Sequence, residues 1–216
     1  MQGIKISLLL FLISFSFIAF AHNDIRAIEV LENASSEYLK AGGVSAQFAI
    51  HIKDSKLIQT FEGDIKMKGD KFYLSTPDID TWFDGKTQWA YLKQNDEVNI
   101  TEPEAEELQM INPINILGIY KNGSYTCKYL GERQDAKQKS VFEVELNPKN
   151  KKGQITKIVL QLSKIDFTPT KFQVFYKNKL ENIIQINKYE KGQSLSDQIF
   201  VFDKKKYPEV DVIDLR

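Results

Sequence analysis

The chain has 216 residues, and its 29 basic and 29 acidic side chains leave no formal charge at neutral pH. That balance gives nothing for a nucleic-acid backbone to hold. A single cysteine, Cys127, excludes a disulfide framework, and two histidines, His22 and His51, are too few for a histidine-based metal or proton-transfer site.

The N-terminus reads as an export signal. Lys5 supplies the positive start, Ile6 to Phe20 is an apolar run broken only by serines, and Ala19-Phe20-Ala21 has the small-x-small form of a cleavage site. The run is short for a membrane span, which needs roughly 20 residues. Residues 1–21 are therefore expected to be removed near Ala21, leaving one domain over 22–216 in the periplasm. Only Lys5 is lost with them, so that domain carries a net charge of −1. No cysteine follows the run, so this chain is not expected to be lipidated there.

Residues 24–40 have helical periodicity, with Ile25, Ile28, Leu31, Tyr38 and Leu39 mostly on one face and Gly42-Gly43 as the stop. Period-two alternation follows. Val44, Ala46, Phe48, Ile50 and Ile52 share one face of a strand over 44–52. Over 57–68, Leu57, Phe61, Ile65 and Met67 oppose Thr60, Glu62, Asp64, Lys66 and Lys68. Such alternation predicts an antiparallel sheet with one dry face and one wet face. Lys53-Asp54-Ser55-Lys56, Gly69-Asp70 and Asp84-Gly85 read as turns. Pro103 and Pro113 mark two helix starts over 103–120, with Asn112 as a cap for the second. Strands are then expected at 125–130, 140–147, 155–163, 171–177, 182–189 and 198–203. The total is about eleven strands with helices at two places.

Chemistry is sparse. No Gly-rich phosphate loop, serine elbow or CxxC occurs. Asp78, Asp80 and Asp84 have oxygen ligands at short spacing but lack the spacing of a calcium loop, and they read as a strand edge and turn. Lys149, Lys151 and Lys152, and likewise Lys204, Lys205 and Lys206, read either as solubilising loops or as docking points for an acidic partner or an anionic lipid surface. An enzyme acting on lipid or glycan would have to draw on Glu62, Asp64 and Asp84. The expectation is no catalytic residue, no metal and no cofactor.

The aromatic strands carry more weight. A large sheet covered only by short apolar helices forms a cavity suited to apolar ligands. By parity, Phe48, Ile50, Phe61, Ile65, Met67, Phe72, Trp89 and Tyr91 are expected to line it, with Ile114, Ile116 and Leu117 on a lid.

The stretch Gly63-Asp64-Ile65-Lys66-Met67-Lys68, an aromatic strand, and then Asp84-Gly85-Lys86-Thr87-Gln88-Trp89-Ala90-Tyr91 resembles the periplasmic outer-membrane lipoprotein carrier (LolA-like) family. Phe200-Val201-Phe202 and the tail through Pro208, Val210, Val212 and Asp214 are similar to that family's closing segment. The resemblance implies an unclosed antiparallel β-barrel with a helical lid over its concave apolar face. It also implies a non-catalytic monomer that shields the acyl chains of lipoproteins between an inner-membrane ABC transporter and an outer-membrane acceptor. A carrier of another envelope lipid, or a lipid or lipoprotein sensor on the same scaffold, is the alternative. In such carriers an Arg-Pro follows the GD-x-x-x-K strand, and the Arg helps hold the lid shut. Here Gly69-Asp70 stands in that place, and Lys66 and Lys68 are the candidate replacements.

Overall fold

The computed structural model describes residues 18–54, 57–104 and 113–216. Helix α1, Ile18–Ala41, precedes six strands: β1 Val44–Lys53, β2 Ile58–Lys68, β3 Lys71–Ser75, β4 Ile79–Phe83, β5 Gln88–Leu92 and β6 Glu97–Thr101. A short 3-10 helix, Pro113–Asn122, leads into β7 Tyr125–Gln134, β8 Ser140–Pro148, β9 Ile155–Ser163, β10 Pro169–Tyr176 and β11 Glu181–Lys191. The last strand is β12, Asp211–Asp214. The helix predicted from Pro103, the Asn112 cap and part of the 53–56 turn fall outside the described residues.

Among the described residues the twelve strands form one sheet, in the order β12-β6-β5-β4-β3-β2-β1-β11-β10-β9-β8-β7. Every pairing is antiparallel except that of β12 with β6. The edges β12 and β7 do not meet, so the barrel is unclosed. Leu74 of β3 and Phe172 of β10 nevertheless face the same hollow across β2, β1 and β11, so the sheet is strongly bent.

Two dry clusters fill the concave side. Ala27, Val30, Leu31 and Ala34 of α1 pack with Ile116, Leu117 and Ile119 against β7–β10. Cys127 is buried in this cluster. At the other end of α1, Tyr38 joins Val44, Ala46, Ile65, Met67, Phe72 and Phe83. The period-two pattern of β1 and β2 is the cause: a one-residue slip would turn every one of their side chains in this cluster into water.

Glycine does two local jobs in the carrier-like motif. Gly63 pairs with Phe48, and a Cβ there would lie 2.5 Å from Phe48 Cζ and 2.7 Å from the Ser75 carbonyl oxygen. Only a residue without a side chain lets the ring lie flat on β2. Gly69 has φ +58°, a left-handed turn conformation between β2 and β3. Its carbonyl accepts a 2.7 Å hydrogen bond from the Tyr38 hydroxyl, tying the end of α1 to the hairpin. The residue in the place of the family's latch Arg is thus a turn, and the tie runs from the helix to it. Lys66 and Lys68 do not replace the latch. They alternate onto the convex face, where Lys68 bonds the Leu195 carbonyl and Asp197.

The segment 198–203 is not a strand. Its alternating Phe200 and Phe202 belong to a strap that begins with a 3-10 turn, Asp197–Phe200, capped by Ser196. The strap runs over the convex face of β3–β6, and β12 then lies beside β6.

Candidate functional site

The hollow sits between the two dry clusters on the concave face and has a volume of about 200 Å³. Its floor is β1, β2 and β11, through Ala46, Phe48, Ile50, Ile65, Met67, Ile184 and Ile186. Leu74 and Thr76 wall one side, Pro169 and Phe172 the other, and Ile116 of the 113–122 helix reaches in from the cover. Thr76 and Tyr189 bring the only polar side-chain atoms among these residues. Burial pushes the Tyr189 hydroxyl up to about 12, so it is a neutral phenol at any physiological pH. A wall of this kind holds an apolar guest by area and grips it with few directional bonds.

The residues expected at the cavity separate into four groups. Phe48, Ile50, Ile65, Met67 and Ile116 come together on the hollow. Phe61 shares their face, opposite Ile50, but stands half-buried toward the end of β2 and does not line it. Phe72 and Leu117 lie within the packing, fully covered, with Phe72 against Phe83 at a centroid distance of 5.5 Å. Trp89 and Tyr91 are on the opposite face of the sheet, in a third cluster with Trp82, Val98, Phe202 and Val210. The Ile114 side chain lies outside the described residues. Sequence parity missed Phe172, Ile184 and Ile186: Phe172 and Val174 alternate within 171–177, but in 182–189 the adjacent Ile183 and Ile184 leave the face ambiguous.

Beside the hollow, where β3 parts from β2 beyond the Asp64–Ser75 pair, a polar recess of about 420 Å³ opens among Gln47, Glu62, Asp64, Ser75 and Asn187. Phe48 and Thr76 border both spaces, so the Phe48 ring is the partition between them.

The convex face is held by the strap. Tyr207 lies 5.2 Å from Tyr91, 5.3 Å from Phe202 and 5.9 Å from Trp82, centroid to centroid. Lys71 and Lys68 each donate to Asp197 at 2.9 Å and hold its carboxyl down to about 2. The Asp197 carboxylate is stabilising only when ionised, and its folded pKa lies below the ordinary value of 3.8. Its contribution is therefore present at neutral pH and is lost as the pH falls from about 4 toward 2. Asp197→Asn should lower the unfolding midpoint at pH 7 and leave a much smaller deficit at pH 2, as read by thermal melts across that range. An equal deficit at both ends would mean that the charge is not what matters.

The three aspartates at 78, 80 and 84 part company. Asp80 is buried, taking a 2.6 Å hydrogen bond from Ser75 and an ion pair with Lys93 at 2.7 Å. Asp84 caps its turn by accepting from the amides of Lys86 and Thr87. Asp78 accepts from Gln94. Among the described residues no group of three or more His, Cys, Asp or Glu side chains is placed to hold a metal. Lys204 reaches back to the Val210 carbonyl, so that lysine run closes the strap.

An open, bent antiparallel sheet with an apolar hollow on its concave face, into which the 113–122 helix reaches, is a scaffold suited to apolar ligands. The chain belongs to the family described as outer membrane lipoprotein carrier protein LolA, whose sequence profile matches residues 17–179. A search of curated protein sequences returns no match. Among solved structures, an uncharacterized conserved protein from Thermus thermophilus is 11% identical. The alignment covers 88% of this chain and 99% of that one, with a TM-score of 0.60. A putative outer membrane lipoprotein-sorting protein domain from Vibrio parahaemolyticus is 15% identical over 86% of this chain and 99% of its own, at 0.48. A LolA superfamily protein from Nitrosomonas europaea is 12% identical over 82% and 97%, at 0.46.

Proposed function

We propose that this chain is a non-catalytic periplasmic carrier that shields the acyl chains of lipoproteins in the concave hollow and moves them from the inner to the outer membrane. In this reading residues 1–21 are the export signal and 22–216 the carrier domain. Phe48, Ile50, Ile65, Met67, Phe172, Ile184 and Ile186 form the bed, and Ile116 belongs to the lid. The observation that carries the proposal is the hollow itself, lined almost entirely by apolar side chains, with Ile116 of the 113–122 helix reaching in from its cover. Each buried methylene contributes about 0.8 kcal/mol, so exposing a ~16-carbon chain to water costs on the order of 12 kcal/mol. A carrier must offset that cost and still let go, which favours a wall with almost no hydrogen-bonding groups. The volume of about 200 Å³ lies below the roughly 300 Å³ of small-ligand pockets, so a whole chain enters only as the helical cover moves.

The test is mild purification from a periplasmic extract followed by native mass spectrometry, with a release assay on inner-membrane vesicles. Bound acylated protein and lipoprotein release support the proposal. A diacyl lipid in the hollow with no release of lipoprotein would reassign the cargo to another envelope lipid. A protein that is repeatedly empty and releases nothing would sink it.

A further inference from the structure

The charges of this chain cancel overall, yet at one end of the sheet the β7–β11 part of the rim is strongly basic, while Asp54, Asp78 and Asp96 stand in the β1–β2, β3–β4 and β5–β6 turns of the same end. The β8–β9 turn carries Lys149, Lys151 and Lys152, the β10–β11 turn carries Lys177 and Lys179, and Lys121 ends the 113–122 helix. All six are exposed. Backbone and side-chain bonds tie these turns into one surface. The Lys149 amide donates to the Ser124 carbonyl, the Lys177 amide to Gln154, and Lys177 Nζ to the Lys152 carbonyl. Lys53, opposite Glu181 in the β1–β11 pairing, brings the end of β1 to the same rim. Among the described residues none of the six forms an ion pair with a carboxylate, whereas Lys53 is paired with Glu181. Next to Lys53, where β2 begins, Leu57 and Ile58 are 59% and 65% exposed. The rim at the other end of the sheet is mixed: Asp70, Asp84, Asp135 and Asp166 stand among Lys86, Lys137, Lys139 and Lys164 in its turns.

Six exposed lysines with no ion pair among the described residues, beside two exposed large aliphatic side chains, match an anionic bilayer surface. Ammonium groups sit among the headgroups and the aliphatic pair inserts at the acyl boundary. We propose that this basic rim docks the protein on an anionic lipid membrane. Ile50, on the floor of the hollow, is three residues from Lys53, roughly 10 Å along the strand. Docking by this rim sets the hollow close to the membrane from which a greasy ligand would enter or leave. The lysine count, the lack of ion pairs to these six lysines among the described residues, and the aliphatic pair carry this proposal. It does not depend on what the hollow carries.

The experiment is co-sedimentation of the purified protein with protein-free vesicles of phosphatidylcholine, with and without phosphatidylglycerol, at low and high salt. Binding should require phosphatidylglycerol and fall with salt. Each lysine near such a surface raises the binding constant about fivefold, so the triple change Lys149→Glu, Lys151→Glu and Lys152→Glu should weaken it by at least about a hundredfold. The charge-matched control Lys86→Glu, Lys137→Glu and Lys139→Glu on the opposite rim should bind within a few fold of the parent. Leu57→Ser with Ile58→Ser should weaken binding about tenfold at unchanged salt dependence. Melting curves of all variants confirm folding, which exposed turn residues leave intact. Equal binding to both vesicle types, or equal losses for the two triple changes, would overturn the proposal. So would capture of polyglutamate with no binding to phosphatidylglycerol vesicles, which would assign the rim to an acidic polypeptide.

Discussion

Gly63→Ala is expected to destabilise the fold by about 3 kcal/mol, the upper part of the range for forcing a methyl group into a filled site. The new Cβ would meet the Phe48 ring at 2.5 Å and the Ser75 carbonyl oxygen at 2.7 Å. The ring can swing away, but the carbonyl belongs to the backbone at the end of β3, where Ser75 pairs with Asp64. If the ring swings, it leaves its seat between the hollow and the polar recess and removes the partition. The change should therefore lower the denaturant midpoint and also alter uptake of an apolar fluorescent probe. Adding Phe48→Leu to Gly63→Ala relieves the ring contact and leaves the carbonyl contact, so it should recover part of the stability and not all of it. Full stability of the single variant would mean that the tight approach of β1 and β2 is not a constraint.

This glycine also shows how much the sequence can disclose. Gly63 is visible as the first residue of a family-like motif, but its reason is a contact with Phe48, fifteen positions earlier, that only the strand register supplies. β1 and β2 are readable because one face is wet. Ser45, Gln47, Asp64 and Lys66 mark that face and fix the other by exclusion. On β4 the rule fails. Trp82 and Phe83 are neighbours on opposite faces, yet they are only 7% and 2% exposed, because the strap covers the convex side as the core covers the concave side. With both faces dry, alternation carries no direction, and parity alone puts Trp89 and Tyr91 with the wrong partners. The strap is itself unreadable for a related reason. Phe200 and Phe202 alternate like a strand, but they bury against the flank of a sheet instead of pairing within it. Ile184 and Ile186 pair directly with Ile50 and Phe48, but Tyr189 reaches the hollow three positions beyond Ile186 instead of two, because β11 carries an extra residue, Asn187, where Gln47 and Phe48 of β1 shift register. A bulge of one residue leaves no mark in a pattern of apolar side chains.

Ile184→Trp tests the hollow most directly. Ile184 lies between Ile50 of β1 and Phe172 of β10 in the sheet, and all three face the hollow. An indole at this point grows into the hollow, away from the filled clusters on either side, so the stability cost should stay under about 1 kcal/mol. The ring takes the place of about three methylenes of any guest chain. At about 0.8 kcal/mol each, affinity for a fluorescent fatty-acyl probe should fall roughly 50-fold. Ile184→Ala makes the opposite change: it enlarges the same space and should hold the probe at least as well as the parent chain, at a cost in stability of about 2 kcal/mol or more. The two variants thus move stability and binding in different directions, which a general loosening of the fold cannot do. Unchanged probe affinity in a well-folded Ile184→Trp protein would mean that acyl chains are held elsewhere, and the carrier reading of this hollow would fall with it.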